Sequence, residues 1–175
     1  MRKILDGYNK ILNTVTKVLG TLAGVLLFVP AFMIFYEVIA RGIFNAPTEW
    51  SIEMSVYCVL VAGFLGMPIT YLEGKHIQVD IIIAHLSRKT RLKLEIITSI
   101  IGIIFCAIFF YEALNMALLS LEINRTSPDT LRMPLWIPQA SMPIGIGLLT
   151  LHFLGTILED GYKVATGNYE KEGVQ

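Results

Sequence analysis

Four long charge-poor apolar stretches, at about 18–36, 54–72, 96–121 and 133–158, divide this 175-residue chain. Each is long enough for a helix across a hydrocarbon layer ~30 Å thick, which takes about 20 residues. Backbone groups in lipid are satisfied only within helices or closed barrels, and four long apolar runs in a chain this short do not make a barrel. The sequence therefore predicts an all-α, integral membrane four-helix bundle. It forms a single domain over 1–160, followed by a polar tail over 161–175.

Composition supports that solvent. Hydrophobic residues are 54% and charged residues 16% of the chain, against about 25% charged in an ordinary soluble domain. A formal net charge of zero gives no footprint for nucleic acid. Cys58 and Cys106 both fall inside apolar stretches, where a lone cysteine is a small packing residue. The first stretch runs longer than a signal-peptide core and ends in Tyr36-Glu37 with no small-residue cleavage pattern, so a retained crossing is expected.

Orientation follows from the basic residues between the stretches. The N-terminal segment holds Arg2, Lys3, Lys10 and Lys17. The second connector holds Lys75, Arg88, Lys89, Arg91 and Lys93, and the tail holds Lys163 and Lys171. The other two connectors hold only Arg41, Arg125 and Arg132, so alternate segments carry eleven basic residues against three. The positive-inside rule places the eleven in the cytoplasm, with both termini inside and connectors 37–53 and 122–132 outside.

Local signals refine the helices. Ile4, Leu5, Tyr8, Ile11, Leu12 and Val15 make one apolar face, which suits either an interfacial amphipathic helix or an extension of the first crossing. Pro30 should kink helix 1 or be accommodated by a neighbour. Glu37 and Arg41 stand four apart in the favourable order for an ion pair. The segment 41–47 breaks the helix, Thr48 is a good N-cap and Glu49 suits a helix N-terminus. Gly74 is a plausible C-cap for helix 2. Prolines 128, 134, 138 and 143 predict an irregular or bent entry to helix 4. Gly20, Ala23 and Gly24 on helix 1, with Gly63 and Gly66 on helix 2, permit close helix approach.

Ionisable residues within a crossing are functional candidates by default. Counted from the start of each apolar run, Glu37 lies about 28 Å and Glu112 about 24 Å along the helix. Both should therefore approach the outer boundary, where structural pairing or a polar contact to a partner helix is the expected use and ion transport the rival. Glu112, Asn115, Leu119 and Glu122 share one face. Among the histidines, His152 alone lies in a crossing, which argues against a paired-ligand haem. His76 and Asp80, four apart, suit a hydrogen-bonded pair better than a metal site. No nucleotide-binding, hydrolase or metalloprotease motif is present, so no enzyme activity and no cofactor are expected in this chain.

Arg41-x-x-Phe44-Asn45-x-Pro47-x-x-Trp50-x-x-Glu53, Gly66, Gly74-Lys75-His76-Ile77-Gln78-Val79-Asp80, Pro134-Leu135-Trp136-Ile137 and Pro143-Ile144-Gly145 occur in that order. Together they resemble the small membrane (Q) subunit of tripartite ATP-independent periplasmic (TRAP) transporters. That resemblance implies a multi-pass protein of the bacterial inner membrane, working with a large membrane transport subunit and a periplasmic substrate-binding protein. The system takes up an organic acid under a sodium gradient, with sodium coupling in the large subunit. It further implies structural or subunit-interface roles for Glu37, Arg41, Asn45, Trp50, Glu53, His76, Asp80 and Glu112. Glu49, Asp129 and Arg132 then fall on the outer surface where the binding protein docks. Two other functions fit four helices: a self-sufficient proton-coupled exporter, and the small subunit of a tripartite tricarboxylate transporter.

Overall fold

A computed structural model describes residues 2–73 and 88–166, and these form four helices: α1 (Arg2–Phe44), α2 (Trp50–Leu72), α3 (Arg88–Glu122) and α4 (Trp136–Thr166). Each contains a segment long and apolar enough to cross a membrane: Gly7–Phe44, Trp50–Leu72, Ile96–Glu122 and Trp136–Gly161. The protein is thus an all-α, four-helix, multi-pass membrane protein.

The helices are ordered in space as α1, α2, α4, α3. α1 packs along α2, α2 along α4, and α4 along α3, while α1 touches α4 only lightly. The bundle is therefore an open row with α4 inside it and α1 and α3 at its ends. The most apolar window of α4 is 39% buried, against 17% in α1 and in α3.

Small residues set these contacts. Ser99, Cys106, Ala113 and Ser120 recur every seven residues on α3 and are all buried, which brings the α3 backbone close to α4. Cys106 joins Ile146 and Leu149 in the core, with Phe64, Met67, Tyr71 and Phe153 packed around them. On α1 the buried face is Thr16, Gly20, Ala23, Pro30, Glu37 and Ala40. Pro30 stays inside one continuous helix, its ring lying in the face that meets α2. Gly20 does sit at close approach, since a Cβ there would stand 2.6 Å from Ile69. Gly24 and Gly63 do not: a Cβ at either would meet nothing within 4 Å. The tightest crossing is one that the sequence did not single out for this role. A Cβ on Gly145 would lie 2.1 Å from the Phe64 carbonyl oxygen, so α4 packs directly on the α2 backbone there.

Two sets of contacts define the ends of the molecule. The Tyr8 hydroxyl donates to the Leu151 carbonyl at 2.9 Å, and the Asn9 amide donates to the Glu159 carboxylate. At the opposite end the Thr130 hydroxyl donates to Glu49 at 2.7 Å, joining connectors 45–49 and 123–135. The N-terminal stretch and the end of α4 therefore share one side, as an even number of crossings requires. Residues 4–16 extend α1 without a break rather than forming a separate helix. α4 likewise continues past Gly161 to Thr166. Of the second connector, 74–87 lies outside the described residues, and 88–93 is the first part of α3.

Candidate functional site

The α1–α2 corner is built around Glu37, which is only 3% exposed. One of its oxygens accepts from Arg41 Nε at 3.1 Å and Nη2 at 2.7 Å; the other accepts the Thr48 backbone N–H at 2.8 Å. The expected Glu37–Arg41 pair is thus present, and it is lopsided: the Arg41 side chain is 60% exposed and the Glu37 side chain 4%. Asn45 adopts φ 49°, a left-handed conformation that asparagine tolerates better than most residues. The Ala46 N–H then returns to the Ala40 carbonyl at 3.0 Å. The Ser51 hydroxyl donates to the Met33 carbonyl at 2.9 Å, pinning the start of α2 against α1.

Thr48 does not cap α2 as its type predicts. The helix begins at Trp50, Glu49 holds the cap position with a helical backbone and no side-chain cap bond, and the Thr48 hydroxyl is buried without a partner among the described residues. The Glu37 carboxylate captures the Thr48 N–H first, so this turn is organised from the neighbouring helix rather than by its own side chain. Trp50 packs beside Tyr36 with ring centroids 6.4 Å apart and is partly exposed, as an interfacial anchor should be. Glu53 is buried and accepts from the Tyr57 hydroxyl at 2.7 Å through one oxygen.

Connector 123–135 is irregular, as its prolines predict, but it is tightly bonded. The Arg125 N–H reaches the Ser120 carbonyl at 2.8 Å, Ser127 reaches Met133 at 2.9 Å, and Leu135 reaches Arg125 at 3.0 Å. The Asp129 N–H donates to the Ser127 hydroxyl at 3.1 Å. Asn124 and Arg132 take φ 48° and 45° to close the turns. The Thr130–Glu49 bond ties this connector to the α1–α2 corner. Glu49, Asp129 and Arg132 are therefore exposed together on one end of the molecule. His76 and Asp80 lie outside the described residues, as does the proposed Gly74 cap.

A second polar cluster, at the other end, escaped sequence reading. Thr16 Oγ1 and His152 Nε2 are hydrogen-bonded at 2.7 Å, and both residues are buried. The Tyr71 hydroxyl pairs with the Thr156 hydroxyl at 2.9 Å, and the Tyr71 ring lies 6.0 Å from the His152 ring. Three helices thus share one polar pin. The partners of His152 stand 136 positions away in one case, and no local pattern links them. Along the chain, His152 is only a lone histidine in an apolar run. Thr16→Val and His152→Leu are each expected to cost about 1–2 kcal/mol. Their double variant should cost less than the two separately added, because either change already removes the shared bond. Detergent unfolding of the three variants measures this, and full additivity would contradict it.

Counted from its other end, α3 places Glu112 deeper: the helix ends at Glu122, one residue past the expected run, and Glu112 lies ten residues, or about 15 Å, inside that end. The neighbouring helices agree. Phe109 packs on Phe64 at a centroid distance of 6.2 Å, and Phe110 lies against Gly147. Those partners stand about 21 Å below Trp50 and about 16 Å below Trp136 by helical rise. Glu112 therefore lies deeper in the bundle than Glu37, which is one turn beyond the Met33 carbonyl that Ser51 binds, beside the start of α2. Glu112 and Asn115 are both exposed and bond to nothing among the described residues. The described residues contain no group of three metal-ligating side chains.

A family model described as tripartite ATP-independent periplasmic transporters, DctQ component, matches residues 30–161. The chain is also 26% identical over 136 residues to the isethionate TRAP transporter permease protein DctMQ of Oleidesulfovibrio alaskensis. That alignment covers 75% of this chain and 21% of the relative, so the matched part of the chain corresponds to about a fifth of that protein's length.

Proposed function

The chain belongs to the DctQ component family of tripartite ATP-independent periplasmic transporters, and from that premise we propose that it is the small accessory membrane subunit of one such transporter. In this reading it enlarges the fixed scaffold of a large transport subunit, which moves an organic acid under a sodium gradient. The chain sits in the bacterial inner membrane with both termini in the cytoplasm, the side that the eleven-to-three bias of basic residues selects. It is no enzyme and holds no cofactor. The cargo site and the sodium sites belong to the large subunit. Isethionate, in the name of the relative, is one instance of the cargo class.

One observation carries the scaffold role. Buried Glu37 on α1 ties down connector 45–49 through the Thr48 N–H, and at the other end Thr16–His152, beside Tyr71–Thr156, joins α1, α2 and α4. A conduit needs polar groups facing a passage, commonly near the midplane; these groups join helices instead. Family membership favours this system over the tricarboxylate one.

Reconstitution tests the reading. Proteoliposomes holding the large subunit, this chain and the binding protein should take up cargo under an inward sodium gradient, and omitting this chain should abolish or sharply reduce uptake. Transport by this chain alone, coupled to a proton gradient, would establish the exporter instead. In the same assay Glu49→Lys, Asp129→Lys and Arg132→Glu are each expected to lower uptake at limiting binding protein by about fivefold. The effect should shrink at high salt, as for steering charges. Unchanged uptake in all three would remove these residues from the docking surface.

A further inference from the structure

The two ends of the helix row expose different surfaces to the membrane. α1 presents Leu22, Val25, Phe28, Phe32 and Phe35, all exposed and all apolar, a surface that lipid chains cover without loss. α3 presents Ile108, Glu112, Asn115 and Leu119, spaced 4, 3 and 4 residues apart and so aligned on one face. All four are exposed, and Glu112 lies about 15 Å inside the near end of α3, half the thickness of a ~30 Å hydrocarbon layer. A carboxylate and an amide facing hydrocarbon at that depth are strongly disfavoured, and such groups normally face protein. Within the chain, the buried face of α3 is the opposite one, Ser99, Cys106, Ala113 and Ser120 against α4. The groups that must be covered are thus the ones that this chain leaves uncovered.

Resting on the accessory-subunit reading above, we propose that the α3 face made by Ile108, Glu112, Asn115 and Leu119 is where the large transport subunit docks. A hydrogen-bond donor on a membrane-spanning helix of that subunit meets Glu112 at mid-depth. Two arguments choose this occupant. The permease relative carries its matching segment as 21% of one polypeptide, so a segment of this kind exists physically joined to a much larger permease. A second copy of this chain, docked symmetrically, would set Glu112 against Glu112, an arrangement that like charges oppose. A donor on the partner instead makes a charge-assisted bond in a medium without competing water. α1, at the far end of the row, is left to lipid.

The test uses the complex in native membranes. A photo-reactive phenylalanine analogue replaces Ile108, Leu119, Phe28 or Phe32, one at a time, and irradiated products are identified by mass spectrometry. Positions 108 and 119 should give adducts with the large subunit, while 28 and 32 should give lipid adducts. Protein adducts from 28 and 32 with none from 108 and 119 would overturn the proposal while leaving the accessory role intact. Adducts from 108 and 119 to a second copy of this chain would also overturn it. Failure of the large subunit to co-purify in every case would overturn both readings. Independently, Glu112→Leu should reduce recovery of the large subunit about tenfold, with Glu112→Gln, which keeps an acceptor, falling between it and the unaltered chain. Equal recovery from all three, with normal membrane insertion, would show that no donor meets Glu112.

Discussion

Gly145→Ala is expected to destabilise the detergent-solubilised chain by about 3 kcal/mol or more, at or above the upper end for overpacking a well-packed contact. The added methyl would lie 2.1 Å from the Phe64 carbonyl oxygen. That neighbour is backbone, so relief requires α2 and α4 to separate. Separation would disturb the core, since Phe64 and Met67 on α2 pack there against Ile146 and Leu149 on α4. A helix gains up to about 1 kcal/mol when alanine replaces an interior glycine, which is too little to offset the clash. Gly24→Ala and Gly63→Ala are the controls. With nothing within 4 Å of either new methyl, both should be neutral or stabilising in the isolated chain. Thermal unfolding followed by tryptophan fluorescence separates the three. Equal melting of Gly145→Ala and Gly63→Ala would show that α2 and α4 do not cross at Gly145.

Glu37→Leu is expected to produce the second large loss, and a far larger one than Arg41→Ala. The usual expectation for an i, i+4 pair is that both partners matter equally and little. Here the carboxylate is buried and also accepts the Thr48 N–H across the corner, while the guanidinium is mostly exposed. Removing Arg41 leaves a carboxylate that still holds Thr48. Removing Glu37 leaves a buried N–H beside a threonine hydroxyl that already has no partner among the described residues, and a buried donor without an acceptor is the costly case. Connector 45–49 should then open, and limited proteolysis from the outer side should cleave there in Glu37→Leu but not in Arg41→Ala. Similar cleavage in both would mean that the exposed ion pair, not the cross-corner bond, holds the turn.

The sequence made some of this legible and hid the rest, for identifiable reasons. Hydropathy located all four crossings because lipid imposes that pattern on each helix separately. It underestimated their lengths at the starts of α1, α2 and α3, which run from Arg2, Trp50 and Arg88, since backbone hydrogen bonding continues where apolar composition ends. Counting from the onset of its apolar run put Glu112 toward the outer edge, whereas counting from the far end of α3 puts it about 15 Å in. Glycines advertise close approach without saying on which face, so Gly24 and Gly63 looked like Gly20, and Gly145, amid the prolines of α4, was passed over. The order α1, α2, α4, α3 was invisible because each helix reads the same whatever its neighbours. The Glu37–Arg41 pair was readable because it is local. The Thr48 bond and the Thr16–His152 pin were not, because their partners meet only after folding.

These observations share one consequence for function. The helices are joined by polar contacts at both ends, and Glu112 and Asn115 on α3 face outward, toward what surrounds the bundle. On the proposal above, that surface is completed by another protein. The most direct test is mild-detergent purification of the tagged chain from native membranes, with co-eluting proteins identified and counted. The account predicts a stoichiometric large multi-spanning membrane protein in the peak. A clean homodimer, with no other protein even after crosslinking in the membrane, would contradict it.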